Sequence, residues 1–338
     1  MLSSIVGVVT GANRGLGKSA VEEFCSRLGA EAVVVLACRD IEAGNKARSD
    51  ILNRHPRGQI LVQQLDVGDT SSIERFALEI RRQFPDGLDF LVNNAGFSYP
   101  EATDVPFLKQ ATDTLAVNYF GTLHLSRALL PMLRSARNFP EGHGDYLPRV
   151  VNVASTGGQM AFAKLAEPLR NRFQKVQTES EVTVLMGEFL SEVRSGMHVK
   201  HGWPAYAYGI SKLGVMALSK VIAKPDEAVV TSCCPGWCIT DMAVRPGGAV
   251  EKSGRDLSLA RSSAQGASEF VHLALPARLG GDARGHHLHG KYVQPQQGYM
   301  DARFSTLLGS GGGTFWDAIT LRSMAHGGKP CPPESAKL

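Results

Sequence analysis

A tyrosine and a lysine with helical spacing lie in the segment AYAYGISKLG, which runs from Ala205 to Gly214. On a helix Tyr208 and Lys212 share one face, whereas Tyr206 has no such partner and is assigned to packing or to a pocket wall. A free tyrosine has a pKa of about 10, too high for an acid that works at neutral pH. A nearby ammonium favours the phenolate, so we expect Lys212 to lower the pKa of Tyr208 and to tune it for proton transfer.

Two other polar residues can complete an acid–base site around this pair. Ser155 ends the strand-like run RVVNVAS, where a hydroxyl can hold a substrate carbonyl oxygen and stabilise developing charge. Asn118 lies in the mostly apolar stretch LAVNYFGTLHLS. A buried amide needs hydrogen-bond partners, so Asn118 either marks a bonded helix kink or serves the site, and we favour the second. The candidate catalytic residues are Asn118, Ser155, Tyr208 and Lys212.

The segment TGANRGLG directly follows the first predicted strand. Its glycines, Gly11, Gly15 and Gly17, allow a tight turn and close approach to a pyrophosphate, and the helix that starts here directs its N–H groups at the negative charge. A glycine turn between a strand and a helix, at the start of a βαβ pattern, predicts a dinucleotide site. The other cofactor candidates in this turn are Asn13, Arg14 and Leu16.

The end of the second strand, LACRD, bears on which nicotinamide cofactor is bound. A carboxylate at this point binds the ribose 2′-hydroxyl of NAD, whereas an arginine accepts the 2′-phosphate of NADP. Arg39 comes first, Asp40 follows it, and Arg14 in the glycine turn can reach the same phosphate. Because a guanidinium binds phosphate in bidentate fashion, we expect NADPH/NADP+ as the cofactor.

The ends of the third and fourth strands supply further cofactor candidates. Asp66 ends the run QILVQQLD and can accept a hydrogen bond from the adenine amino group. The motif NNAG ends the fourth strand. Its asparagines can tie neighbouring strands together, and its glycine leaves room for the cofactor. The candidates from these two strand ends are Asp66, Val67, Asn94, Ala95 and Gly96.

Short β-branched runs alternate with helical patterns through most of the chain. The strands are apolar on both faces, which is typical of a parallel sheet covered by helices on both sides. We therefore expect an α/β fold, a doubly wound Rossmann-type parallel sheet of about seven strands with helices on both faces. One long helix is expected over roughly Thr112 to Leu133. Ligands bind beyond the carboxyl ends of such strands, which is where the candidate residues fall.

The predicted domain organisation is a single catalytic domain over residues 1–300. Residues 157–202 interrupt the strand–helix rhythm with two amphipathic helical patterns, which we interpret as an insertion at the rim of the site. The Gly-, Ser- and Arg-rich stretch over 244–268 indicates a mobile loop. Residues 301–338 are interpreted as a C-terminal extension, loosely attached after Gly309.

Composition argues against several other classes of protein. The chain has 36 basic and 32 acidic residues without a dense basic block, so no nucleic-acid partner is expected. No apolar run approaches the ~20 residues of a membrane-spanning helix, and no secretory signal is expected.

The six scattered cysteines fit reduced intracellular thiols. The histidines of GHHLHG lack cysteine or carboxylate ligands at matching spacing, so a loop is favoured over a metal site.

The chain ends in Ala336-Lys337-Leu338. This tripeptide is a close variant of the S-K-L address that the peroxisomal import receptor reads, and a Pro-, Gly- and Ser-rich tail precedes it. We expect import into a peroxisome-type organelle (peroxisome or glycosome), with a cytoplasmic location as the alternative.

Taken together, TGxxxGxG, NNAG, Asn118, Ser155 and the Tyr208-x-x-x-Lys212 pair resemble the short-chain dehydrogenase/reductase family, in the family's order and over roughly residues 4–293. The segments HGWPAYAYGISKLGV and CCPGWCITDMA, and the long separation between Ser155 and Tyr208, are most similar to the monomeric NADPH-dependent carbonyl reductases within it. In that subgroup extra helices cover the face used elsewhere for dimerisation, so the resemblance implies a monomer.

The resemblance also implies roles for individual residues. Tyr208 would donate the proton, Lys212 would tune it and hold the nicotinamide ribose, Ser155 would orient the carbonyl, and Asn118 would support a proton relay through water. The residues expected to cradle the nicotinamide are Pro235, Gly236 and Thr240. Trp237 and Met242 would line the substrate pocket, with core packing as an equal alternative.

The expected activity is NADPH-dependent reduction of ketones, aldehydes or quinones, with a small-molecule carbonyl substrate and no metal. An alternative is a steroid or retinol dehydrogenase that oxidises alcohols. A catalytically silent NADP-binding sensor or scaffold is a third interpretation, which the presence of both Tyr208 and Lys212 disfavours.

Overall fold

The computed structural model describes residues 5–100, 103–134, 147–224, 227–244, 260–276, 288–294 and 319–320. Its strands form one sheet in the order β3-β2-β1-β4-β5-β6-β7-β8, and all neighbouring strands are parallel. The strands are β1 (Ile5–Thr10), β2 (Ala32–Cys38), β3 (Gln59–Gln64), β4 (Phe90–Asn93), β5 (Arg149–Val153), β6 (Val229–Cys233), β7 (Tyr292–Gln294) and β8 (Ile319–Thr320).

This topology confirms the predicted doubly wound parallel sheet. The seven expected strands are present, and the two-residue strand β8 pairs with β7 from within the segment interpreted as an extension. The strand order reverses direction between β1 and β4, because β2 and β3 lie on one side of β1 and the later strands on the other. The carboxyl ends of β1 and β4 therefore form the crevice in which such folds bind ligands.

Helices cover both faces of the sheet. The helices are α1 (Gly15–Leu28), α2 (Ile41–Arg54), α3 (Thr70–Gln83), α4 (Phe107–Leu115), α5 (Thr122–Arg134), α6 (Thr156–Lys164), α7 (Glu167–Lys175), α8 (Glu179–Arg194), α9 (Ala207–Val221), α10 (Asp241–Val244) and α11 (Ser263–Ala274). The apolar faces of α1, α2 and α11 pack in one core layer. Those of α3, α4, α5, α8 and α9 pack in the other.

The prediction of a single long helix over Thr112 to Leu133 is wrong in one respect, because the helix is interrupted. A π-helical turn, Ala116–Gly121, separates α4 from α5. Gly121 packs against the loop that follows β3, where a Cβ on Gly121 would be 2.3 Å from the Val67 carbonyl oxygen. The hydroxyl of Thr122 donates to the carbonyl of Asn118 at 2.8 Å. Wide turns of this kind are frequently found at functional sites.

The two amphipathic patterns within residues 157–202 correspond to α7 and α8. Helix α8 begins with a capping box formed by Thr178 and Glu181, and it packs against α4 and α9.

The prediction of a mobile loop over 244–268 is wrong for the last part of that range, because α11 begins at Ser263 after a second capping box. Residues 245–259 lie outside the described residues, and within the described ones no helix is long and apolar enough to cross a membrane.

Close packing around β1 holds the first strand in place beneath the glycine turn. The ring of Phe90 stacks on Phe24 with centroids 4.4 Å apart. A Cβ on Gly7 would lie 1.9 Å from the Phe90 ring, so only glycine lets this ring lie flat across β1.

We predict that Gly7→Ala lowers the free energy of unfolding by about 1–3 kcal/mol, because the added methyl forces Phe90 out of its stacked position. Gly187 in α8 provides a matched control, since it is exposed and a Cβ there meets nothing within 4 Å. Gly187→Ala should raise the free energy of unfolding by up to about 1 kcal/mol. Denaturant titration of both variants checks this, and an equal effect of the two changes would contradict the packing argument.

Candidate active site

The first turns of α9 place Tyr208 and Lys212 beside the carboxyl end of β5. Lys212 is only 5% exposed, and its ammonium donates to the carbonyl of Val153 at 2.7 Å. Its Nζ lies 5.8 Å from the centroid of the Tyr208 ring. The predicted pair is therefore formed on one face of a helix, with the lysine fixed to the sheet.

Ser155 lies between β5 and α6, on the other side of Tyr208. It is the N-cap of α6, and its Oγ accepts from the Gly157 amide at 3.1 Å. It also shares a hydrogen bond with Tyr208 that acts to lower the tyrosine pKa. The two hydroxyls predicted to act on one carbonyl oxygen are thus neighbours.

Burial governs the pKa of both members of the pair. It raises the pKa of Tyr208 well above its usual value of 10, and the hydrogen bond from Ser155 only partly opposes this. Burial also lowers the pKa of Lys212 to about 8. The Tyr208 pKa is therefore raised and not lowered as expected, because desolvation of the phenol outweighs any effect of the ammonium 5.8 Å from its ring. Tyr208 is protonated at neutral pH, as a proton donor must be.

Asn118 lies in the π-helical turn and holds the chain that follows β4. Its Oδ1 accepts from the Phe97 amide at 2.7 Å, and its Nδ2 donates to the Phe97 carbonyl at 2.8 Å. Nδ2 also donates to Ser211 Oγ at 2.9 Å. Asn118 is thus a bonded break in the helix and lies close to Lys212, while its catalytic role stays a prediction. No sequence signal had singled out Ser211.

Ser211 links Asn118 to the helix that carries the catalytic pair. Its side chain is fully buried, and its hydroxyl donates to the Tyr208 carbonyl at 2.7 Å. Gly96 lies within the same cluster, because a Cβ on it would be 3.4 Å from Lys212 Nζ and 3.6 Å from Asn118 Oδ1. The end of β4, the π-helical turn and α9 therefore meet at one point.

The glycine turn is held against the end of β4 by hydrogen bonds. Thr10 Oγ1 accepts from the amides of Asn94 and Ala95, and Asn94 Nδ2 donates to the Thr10 carbonyl at 2.8 Å. A Cβ on Gly17 would lie 2.5 Å from the Gly11 carbonyl oxygen and 2.6 Å from Asn94 Nδ2. Gly17 must therefore lack a side chain for this close approach, and Thr10 is a participant that the motif did not reveal.

The predicted strand tie is also present. Asn93 Nδ2 donates to Asn152 Oδ1 at 2.7 Å across β4 and β5. Asn152 in turn donates to Ser219 Oγ on α9 at 2.8 Å. This buried chain of amides connects the sheet to the helix that carries Tyr208.

The segment after β6 closes over the glycine turn. Thr240 is the nearest residue to a Cβ built on Gly15, at 3.7 Å, and Arg14 forms an exposed ion pair with Asp241 at 3.2 Å. The turn itself contains Gly236, whose φ of 84° is in the left-handed region that favours glycine. The turn predicted to hold the pyrophosphate and the turn predicted to cradle the nicotinamide, which starts at Pro235, thus lie side by side.

Arg261 fixes this turn and was not predicted. Its guanidinium donates to the Pro235 carbonyl at 3.0 Å and binds the Glu269 carboxylate of α11 at 2.5 Å. Leu16 packs against α11 beside this turn, because a Cβ on Gly266 of α11 would lie 2.7 Å from the Leu16 side chain and 3.2 Å from the Pro235 carbonyl oxygen. The bond from Arg261 to Pro235 joins residues 26 apart and leaves no local pattern in the sequence.

The end of β2 distinguishes the two residues that bear on cofactor choice. Asp40 is the N-cap of α2, and its Oδ1 accepts from the Ala43 amide at 3.0 Å. The side chain of Arg39 is exposed at the strand end. The carboxylate that would bind a ribose 2′-hydroxyl is thus engaged in capping α2, whereas the arginine that precedes it in sequence is exposed.

The structure is less informative about the remaining candidates. Asp66 Oδ1 accepts from the Gly68 amide at 2.9 Å, which fixes the loop containing Val67. Asn13 lies in the glycine turn between β1 and α1. Trp237 follows Gly236 and is half-buried, whereas Met242 is 38% exposed on the short helix α10. The substrate-pocket role of Trp237 and Met242 stays a prediction.

Within the described residues no group of three or more His, Cys, Asp or Glu side chains could hold a metal ion. Of the histidine cluster, only His289 is described, and its ring lies 3.0 Å from the Ala228 carbonyl. His286 and His287 lie outside the described residues, as do Ala336, Lys337 and Leu338.

The site fits a nicotinamide dinucleotide on its own geometry. Helix α1 has no acidic residue in its first turn and no side-chain cap on its N-terminal amides, which suits a pyrophosphate. Gly15 has a φ of 51° and meets only the Thr240 side chain within 4 Å.

Comparison with solved structures shows the same architecture. Salutaridine reductase from Papaver somniferum aligns with a TM-score of 0.64 and 25% sequence identity, covering 80% of this chain and 96% of that one. An NADPH-bound carbonyl reductase from chicken fatty liver aligns with a TM-score of 0.58 at 22% identity, covering 87% and 97%. At this lower identity the likeness concerns the fold.

Comparison of sequences extends over most of the chain. The short chain dehydrogenase family profile matches residues 6–167. Carbonyl reductase (NADPH) 1 from Bos taurus is 35% identical over 303 residues, covering 87% of this chain and 98% of the relative. The Homo sapiens protein of the same name is 34% identical over 302 residues, covering 86% and 96%. This chain belongs to the short-chain dehydrogenase/reductase family.

Proposed function

We propose that the protein is an NADPH-dependent reductase that converts ketones, aldehydes or quinones to alcohols, with Tyr208 as the proton donor. The observation that carries this proposal is the arrangement of Tyr208, Ser155 and Lys212. A protonated phenol shares a hydrogen bond with Ser155, and a buried ammonium is fixed 5.8 Å from its ring. The similarity to NADPH carbonyl reductases over most of the chain supports the same activity.

The side chains have distinct tasks in this reaction. Ser155 and Tyr208 hold the carbonyl oxygen between two hydroxyls, and Tyr208 releases its proton to that oxygen as negative charge develops. Lys212 stabilises the phenolate that remains, because an opposite charge nearby favours the ionised form. Asn118 fixes the loop after β4 and supports the return of a proton through water.

NADPH, when bound, supplies the hydride that the carbonyl carbon receives. The glycine turn with Asn13, Arg14 and Leu16 would hold the pyrophosphate, and Arg39 with Arg14 would hold the 2′-phosphate. The exposed pair between Arg14 and Asp241 is weak, as surface ion pairs are, so Arg14 remains available to a phosphate. Asp66 and Val67 would contact the adenine.

The nicotinamide end would lie between β4 and the turn after β6. We assign the carboxamide and ring contacts to Asn94, Ala95, Gly96, Pro235, Gly236 and Thr240, and the ribose to Lys212. Trp237 and Met242 remain candidates for the substrate pocket.

We also propose that the protein is a monomer. The packing of α8 across α4 and α9 supports this, because it covers a helical face that would otherwise be free to pair with a second copy. Import into a peroxisome or glycosome through Ala336-Lys337-Leu338 remains part of the proposal on the sequence alone.

Replacement of Tyr208 tests the proton-transfer role. We expect Tyr208→Phe to lower kcat by at least ~10²-fold, as the loss of a general acid should, while NADPH binding measured by fluorescence is retained. Tyr119→Phe is the control, since that buried hydroxyl contacts Thr183 rather than the site. Near-normal turnover by Tyr208→Phe would refute the assignment.

Replacement of Arg39 tests the choice of cofactor. Arg39→Ala should raise the Kd for NADPH much more than that for NADH, because only NADPH carries the 2′-phosphate that the guanidinium would bind. Arg82→Ala provides a control, as Arg82 is an exposed arginine near the end of α3, paired with Glu79. Isothermal titration with both cofactors checks this, and equal losses for the two would count against the role.

Burial of Lys212 predicts a pH dependence of stability. Its folded pKa of about 8 is below the usual 10.5, so the unfolded chain holds the extra proton between these values. The unfolding free energy of the wild type should therefore rise relative to Lys212→Met from pH 8 to pH 10, by up to about 1.4 kcal/mol per pH unit. Denaturant titrations at several pH values measure the difference, and a constant or falling difference would show that Lys212 is not desolvated.

A further inference from the structure

Arg261 lies two residues before α11 and ties that helix to the turn after β6. Its guanidinium donates to the Pro235 carbonyl at 3.0 Å and to the Glu269 carboxylate at 2.5 Å. Its backbone also pairs with the turn, because the Arg261 amide donates to the Trp237 carbonyl and the Ile239 amide donates to the Arg261 carbonyl, both at 2.9 Å. Only 20% of the Arg261 side chain is exposed. The planar fork of an arginine suits this position, since it presents several donors in a fixed geometry.

The peptide between Pro235 and Gly236 is held at both of its polar ends. Its carbonyl accepts from Arg261, and the Gly236 amide donates to Cys234 Sγ at 3.4 Å. The carbonyl and the amide of a trans peptide point in opposite directions, so each bond helps to keep the other. Gly236 has a φ of 84°, and glycine lets a peptide in such a turn rotate at little cost. The bond from Arg261 therefore selects one orientation of a peptide that is otherwise easily turned over.

This turn lies next to both halves of the candidate site. Burial governs the pKa of Tyr208 and that of Lys212, and Cys234 makes a smaller contribution to each, which places the thiol near the catalytic pair. On the other side, Thr240 Cγ2 would be 3.7 Å from a Cβ on Gly15 in the glycine turn. The segment that Arg261 holds thus extends from the proposed pyrophosphate site to the proposed proton donor.

We propose that Arg261 is a positioning residue for the nicotinamide half of NADPH, which holds the Pro235–Gly236 peptide in the orientation that receives the ring. The inference rests on the proposed function, because it takes the turn after β6 as the nicotinamide cradle. Arg261 acts through that turn, since its guanidinium is bonded to Pro235 and Glu269. If Arg261 only stabilised the fold, its loss would weaken the binding of every part of the cofactor alike.

Two ligands separate these roles. NADPH carries both halves of the cofactor, whereas adenosine 2′,5′-bisphosphate carries the adenosine and the 2′-phosphate but no nicotinamide. The Kd of each is measured by isothermal titration for the wild type, for Arg261→Met and for Glu269→Gln, which weakens the ion pair but leaves the guanidinium bonded to Pro235. Arg82→Met is the control, because it removes the guanidinium of an exposed arginine–glutamate pair on α3.

We expect Arg261→Met to raise the Kd for NADPH by about 10-fold, as the loss of a hydrogen bond from a charged group should, and to leave that for the bisphosphate within about 2-fold. Glu269→Gln should raise the Kd for NADPH less than Arg261→Met does, and Arg82→Met should change neither Kd. If Arg261→Met does not fold, Arg261→Lys should show the same selective loss, because it keeps a charge opposite Glu269 but not the planar fork.

Equal changes for the two ligands, or none for either, would overturn the role of Arg261, while NADPH binding and turnover by the wild type leave the reductase proposal intact. An effect of Glu269→Gln as large as that of Arg261→Met would overturn the assignment of the role to the Pro235 carbonyl. A wild type that binds neither ligand would overturn both proposals.

Discussion

The hydrogen bond from the Lys212 ammonium to the Val153 carbonyl is the interaction on which the site depends. It holds a buried positive charge at the carboxyl end of β5, one helical turn from Tyr208. Burying an ammonium without a partner is costly, so the fold must keep α9 close against the sheet. The chain of amides from Asn93 through Asn152 to Ser219 provides that connection. Precise placement of the acid and stability of the core are thus consequences of the same packing.

A second constraint joins the cofactor half of the site to the catalytic half. Asn118 binds Phe97 after β4 and Ser211 on α9, and Thr10 binds Asn94 and Ala95 at the start of the same loop. The loop after β4 is therefore fixed at both ends. A dinucleotide bound at the glycine turn and a carbonyl bound at Ser155 would be held in register by this one segment.

Much of this organisation could be predicted from local sequence patterns, and what could not has physical reasons. Buried strands, the glycine turn and the Tyr208–Lys212 spacing are local, so they were recognised. The π-helical turn and the hydrogen bond from Arg261 to the Pro235 carbonyl depend on contacts between residues far apart in sequence, so they were not. The Tyr208 pKa was predicted in the wrong direction, because spacing shows that a lysine is near but does not show that desolvation of the phenol outweighs it.

The most direct test of the account is turnover by the purified wild-type protein, followed as NADPH oxidation with a quinone such as menadione and with aromatic ketones and aldehydes, and repeated with NADH. The account predicts fast turnover with NADPH and little with NADH, because Arg39 stands free at the end of β2 while Asp40 is engaged in capping α2. Measurable NADPH binding without turnover of any of these carbonyl compounds would contradict the assignment of Tyr208, Ser155 and Lys212 as a working reductase site.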